Sequence, residues 1–109
     1  MPSSNPPDIE RRRTPRHAFG GVAEVTAARS GKYLIAVTGE ISPLGCFVKT
    51  ITPFTSGEPV TLRITYAGRA FAVAGTVVHV LSRGMGISFG AISAGDQRVL
   101  EDWLADSTM

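Results

Sequence analysis

The sequence predicts an all-β protein, with about six antiparallel strands rolled into a barrel and one α-helix at the C-terminus. Three observations carry this expectation. Apolar and polar residues alternate with period two in short runs between residues 18 and 90. Turn-forming Gly, Pro and Ser punctuate those runs. After Ser93 the apolar period changes to that of a helix. Strands of this number and spacing favour a closed or partly closed barrel, because closure removes exposed strand edges.

The elements follow in order. Residues 1–10 ("MPSSNPPDIE") read as a disordered leader, since Asn5-Pro6-Pro7 cannot start a helix and little there could pack. Residues 11–17 are basic, and Pro15 argues against a helix. One domain is expected over 11–105. The run 18–28 alternates weakly, with Ala23, Val25 and Ala27 on one side and Val22, Glu24 and Thr26 on the other. "RSGK" turns the chain into a strand at 33–41. "SPLG", Ser42 to Gly45, fits a type I turn, with Pro second and Gly fourth. A strand at 46–51 ("CFVKTI") and a loop ("TPFTSGEP") lead to 60–66, where Val60, Leu62, Ile64 and Tyr66 share a face. Ala67-Gly68 makes a tight hairpin. The run 69–81 is a long strand in which Gly75 suggests a bend. "SRGMG" turns again and "GISFG" (86–90) is the last strand. Ser93, with Asp96 three residues on, caps a helix over 94–105 that presents Val99, Leu100, Trp103 and Leu104 on one face.

Composition narrows the function. The chain has 109 residues, 43% of them hydrophobic and 18% charged, which suits one globular domain with a modest core. A single cysteine, Cys46, excludes an internal disulfide. No signal-like or membrane-length apolar run occurs, so a cytoplasmic location and no membrane insertion are the default expectation. His17 and His79 are far apart, Cys46 has no evident base, and no Cys/His spacing suits a metal. "GEISPLG" and "GMGISFG" contain glycines, but no GK[ST] follows and no long helix begins there. No enzyme, cofactor or metal is therefore expected. Cys46 and Trp103 are best read as packing residues, and His79 as one member of a strand face.

The charge is where the sequence becomes specific. Eleven Lys and Arg balance nine Asp and Glu to a net +2, yet four arginines fall within Arg11–His17 ("RRRTPRH"). A guanidinium presents a planar fork of donors that grips phosphate oxygens or a guanine edge, and it stacks on bases. Arg12 and Arg16 could hold one anionic aromatic ligand between them; a solvated basic arm is the plain reading. Glu40, Ser42 and Gly45 form E-x-S-x-x-G at a strand end. The carboxylate can accept from the N–H groups of guanine's Watson–Crick edge, the hydroxyl can donate or accept, and the glycine admits close backbone approach. Here the plain reading is a turn opened by Ser42 and closed by Gly45.

Together these residues resemble the PilZ domain family. Arg12-Arg13-Thr14-Pro15-Arg16 is similar to its R-x-x-x-R segment. About two dozen residues later, Glu40-Ile41-Ser42-Pro43-Leu44-Gly45 is similar to its [D/N]-x-S-x-x-G turn, except at the first position. Gly84–Phe89 ("GMGISF") resembles the family's late G-x-G-x-x-F strand, and the terminal helix also fits. The resemblance spans residues 10–105. It implies a six-stranded antiparallel β-barrel that binds the bacterial second messenger cyclic di-GMP, as a single-domain receptor signalling through a downstream protein. By position, Arg12 and Arg16 would hold guanine edges and phosphates, and Ser42 and Gly45 would line the ligand. Glu40 would stand where the family has Asp or Asn. An arginine at the place of Arg11 accompanies two stacked ligand molecules in the family, whereas Arg13 has no motif role. Glu40 keeps the acceptor but is one methylene longer, which implies weakened binding. A protein-interaction adaptor of the same fold that binds no nucleotide is the alternative. A nucleic-acid binder is disfavoured because Arg63, Arg69, Arg83 and Arg98 form no continuous stripe in the sequence.

Overall fold

The structure, a computed structural model, describes residues 17–107. The leader expected over 1–10 lies outside the described residues, as do Arg11, Arg12 and Arg16. Seven strands and a helix follow in order: β1 (His17–Ala18), β2 (Val22–Ala27), β3 (Tyr33–Ile41), β4 (Gly45–Lys49), β5 (Pro59–Tyr66), β6 (Arg69–Leu81), β7 (Gly84–Phe89) and α1 (Ala94–Ser107). Six of the strands close a ring, β2-β3-β4-β7-β6-β5 and back to β2, with every pairing antiparallel. This is the expected barrel. The seventh strand, β1, lies on the same edge of β3 that β2 occupies.

The inward residues are those the alternation selects. Ala23, Val25 and Ala27 of β2, Val60, Leu62 and Ile64 of β5, and Phe71, Val73 and Val77 of β6 are buried together with Val48, Met85 and Ile87. Such burial stabilises by roughly 1.5–3 kcal/mol per large aliphatic or aromatic side chain. Ala67 and Gly68 both take positive φ, 53° and 77°, as the tight hairpin requires.

Three strand boundaries differ from expectation by more than one residue. The run 18–28 is two strands, not one. Phe19 turns inward between them, and a Cβ on Gly21 would strike the Phe19 ring. Backbone bonds from Phe19 N–H to Gly39 and from Thr38 N–H to Gly21 keep the break alongside β3. The last strand begins at Gly84, because Gly84 and Met85 already pair with Leu81 and Val80. The fourth strand ends at Lys49 rather than residue 51, where the Thr50 N–H turns to the Arg83 carbonyl.

The helix caps one end of the barrel. Ser93 Oγ accepts the Asp96 N–H at 3.2 Å and donates to Asp96 Oδ2 at 2.7 Å, the expected cap. Asp96 Oδ1 also accepts the Ala72 N–H at 2.9 Å, satisfying β6 beyond its pairing with β7. Trp103 is buried against Phe19, Tyr66 and Phe71, with ring centroids 5.2, 5.8 and 6.3 Å away. It is thus the packing anchor the helical period predicts.

Thr38 is fully buried and its hydroxyl has no hydrogen-bond partner among the described residues. An unpaired buried hydroxyl costs about 1–3 kcal/mol. Thr38→Val, nearly isosteric, is expected to raise stability by about 1 kcal/mol. A denaturant midpoint that rises at unchanged slope would register the gain.

Candidate functional site

The site is built on the reversal from β3 into β4. Ser42 N–H donates to the Gly45 carbonyl at 2.9 Å. Ser42 Oγ accepts the N–H groups of both Leu44 and Gly45 at 3.2 Å and donates to the Gly45 carbonyl at 3.2 Å. The chain reverses at "SPLG" as expected, but a side-chain hydroxyl does the work that a backbone carbonyl does in a type I turn. A Cβ on Gly45 would run into the Ile87 carbonyl oxygen, so glycine is what lets β4 approach β7 here. Leu44 accepts the Phe89 N–H at 2.8 Å, which ties the turn to β7 as well.

Register then assembles an outer face. Ala18 pairs with Glu40, Glu40 with Phe47, Phe47 with Gly86, and Gly86 with His79. Directly opposed residues share a face, so one row runs across β1, β3, β4, β7 and β6. Gly86 has no side chain and forms a low floor between Phe47 and His79. A groove of about 290 Å³ lies on the turn side of this row; Glu40, Ser42, Gly45, Phe47 and His79 line it. A second, of about 450 Å³, lies on the other side and shares Glu40, Phe47 and His79. It adds Lys49 and Arg83. Glu40 is exposed, whereas Ser42 is only 6% accessible.

The structure therefore brings the sequence-predicted Glu40, Ser42 and Gly45 to one groove. The arginines predicted with them lie outside the described residues. The point from which they extend is described, because His17 pairs with Ile41 immediately beside Glu40. Sequence reasoning missed Phe47, Lys49 and Arg83. The signal for Phe47 and Lys49 was their parity opposite buried Cys46 and Val48. His79 is on a strand face as expected, and that face is the groove.

Cys46 is buried behind the turn, and burial pushes its thiol up to about 12. It is no nucleophile at neutral pH. The thiol of the unfolded chain ionises near 9 and that of the folded chain near 12. The unfolded state therefore loses its proton first. Its stabilising effect is complete below pH 9 and should fall by about 1.4 kcal/mol per pH unit above it. Denaturation of wild type and Cys46→Val at pH 8 to 10.5 checks this, since the variant lacks that contribution to the slope.

Among the described residues no group of three or more His, Cys, Asp or Glu is placed to hold a metal. No helix among them is long and apolar enough to cross a membrane. The PilZ domain family model matches residues 10–106. The chain belongs to the PilZ domain family. A search of curated protein sequences found no match.

Solved structures place this PilZ domain among relatives of the same fold. The Bacillus subtilis inhibitor of motility (MotI/DgrA) superposes with a TM-score of 0.73 at 21% identity, over 90% of this chain and 51% of that one. The PilZ domain of Escherichia coli YcgR with c-di-GMP gives 0.71 at 13% identity, over 90% and 92%. The K. pneumonia MrkH–c-di-GMP complex gives 0.69 at 22% identity, over 88% and 52%. This chain spans about half the length of the motility inhibitor and of MrkH. At these identities the likeness is one of fold.

Proposed function

We propose that this PilZ domain is a receptor for cyclic di-GMP, bound between its N-terminal arginine arm and the groove at Glu40, Ser42 and Gly45. The observation that carries the proposal is the register of β1. His17 opposite Ile41 and Ala18 opposite Glu40 root the arm beside two residues that line the groove, and Arg16 immediately precedes His17 in the chain. YcgR and MrkH, whose folds this chain shares, were solved with c-di-GMP.

In this reading Arg12 and Arg16 grip phosphates and guanine edges. Glu40 accepts guanine N–H groups. Ser42 and Gly45 act largely by shaping the wall, and Arg11 recruits a second, stacked ligand molecule. Ordering the arm over the ligand lowers net affinity and makes binding a switch. The domain performs no chemistry. It acts in the cytoplasm, where a downstream protein reads the changed surface.

Calorimetric titration with cyclic di-GMP tests the proposal. Saturable heat is expected, with a stoichiometry of two where Arg11 recruits the second molecule. No heat and no thermal shift at high ligand concentration would overturn it. Glu40→Asp shortens the carboxylate to the length usual in the family. Misplacing a charge-assisted hydrogen bond costs roughly 1.5–3 kcal/mol. The aspartate variant should therefore bind on the order of tenfold more tightly in the same titration.

A second reading is an adaptor that binds no nucleotide. It draws support from Ser42 and Gly45, whose hydrogen bonds and close packing employ them fully in the turn. The same titration separates the two.

A further inference from the structure

The larger groove carries charges outside the family motifs. Seven Lys and Arg fall within residues 17–107. Most are spread out: Arg69 pairs with Asp102 at 2.7 Å, and Arg63 stands opposite Glu24 on β2. Lys49 and Arg83, far apart in sequence, line the same groove as His79. The backbone enforces this. Lys49 pairs with Gly84 in the β4–β7 ladder, and the Thr50 N–H bonds the Arg83 carbonyl at 3.0 Å. The Arg83 guanidinium lies over the Phe47 ring, 5.7 Å from its centroid. The Lys49 stem lies along Gly39, where a Cβ would come within 2.7 Å of its Cε. Among the described residues Glu40, between the two grooves, is the one acidic residue lining either.

Two cations and an aromatic face suit a phosphorylated, planar ligand. The volume falls in the range of small-molecule sites, about 300–1,000 Å³. Charge also sets an orientation. Glu40 repels phosphate and attracts N–H donors, so an anionic group is driven to the Lys49–Arg83 side while a base edge stays by Glu40. We propose that this second groove is an anion subsite, in which Lys49 and Arg83 hold a phosphate group above Phe47. The subsite deepens the receptor reading and rests on it only for the ligand's identity.

The test uses the full chain and two probes. Inorganic pyrophosphate is titrated against ¹⁵N-labelled protein, and the amides of Phe47, Lys49, Arg83 and Gly84 are followed. Saturable shifts are expected there, and their loss in Lys49→Gln/Arg83→Gln. Both side chains are exposed, so the variant should keep its fold, which its melting temperature checks. Cyclic di-GMP affinity should fall roughly tenfold for each charge removed and stay unchanged in Arg63→Gln. Absent or unsaturable pyrophosphate shifts at these residues would overturn the subsite, as would wild-type cyclic di-GMP affinity in the double variant. If the wild type binds no cyclic di-GMP, the receptor reading fails while the pyrophosphate titration still decides the subsite.

Discussion

Arg16→Ala and Arg12→Ala should each lower affinity for cyclic di-GMP by about a hundredfold or more, leaving the melting temperature unchanged. A guanidinium fork makes two charge-assisted bonds to a phosphate or a guanine edge, and each bond to a charged group contributes about 1.5–3 kcal/mol. Losing one fork therefore removes roughly 3 kcal/mol, which is on the order of a hundredfold. Arg13→Ala is the internal control. It removes the same charge from the same segment but has no role in the motif, so a loss below about threefold is expected. Equal losses at Arg12, Arg13 and Arg16 would mean that the arm acts as diffuse charge. In that case affinity should also fall steeply with salt. Calorimetry of the three variants at two salt concentrations distinguishes gripping from diffuse attraction.

Trp103→Ala should destabilise the domain by about 3–5 kcal/mol, the usual cost of truncating a buried Trp or Phe. Trp103 touches three aromatic rings from three parts of the chain, Phe19, Tyr66 and Phe71. Its loss frees α1 from the barrel end and leaves a cavity among those rings. For a domain of about 100 residues such a change lowers the melting temperature by on the order of 15–30 °C. Trp103→Phe should recover much of the loss. A binding effect should follow as well, because Phe19 directly succeeds β1 and fixes the root of the arm. A thermal melt and a titration below the melting temperature check both.

The barrel was legible because each strand carries its own evidence. In β5 the buried set Val60, Leu62 and Ile64 alternates with exposed Thr61, Arg63 and Thr65. Helix α1 announced itself by the Ser93–Asp96 cap and the Leu100–Trp103 face. The break after β1 was not legible, since it depends on Phe19 finding Tyr66 and Trp103, contacts of long sequence separation. The same holds for the groove. Glu40, Ser42 and Gly45 stood out as a short motif, and the turn that joins them is local. Lys49 meets His79 and Arg83 only because β4 pairs with β7, a register between strands far apart in sequence that no local pattern encodes. Arg83 looked scattered in the sequence and is a groove residue in the fold. Ser42 shows the opposite case, in which a motif hydroxyl proves to be bonded into its own turn.

In the proposed complex one ligand bridges the arm and the groove. An NMR titration of ¹⁵N-labelled full chain with cyclic di-GMP tests it most directly. Amides of Arg12–His17 and of Glu40–Phe47 should shift together and yield one dissociation constant, and Arg16→Ala should weaken both sets in parallel. Shifts confined to the arm, with Glu40–Phe47 unmoved at saturation, would rule out a bridging ligand.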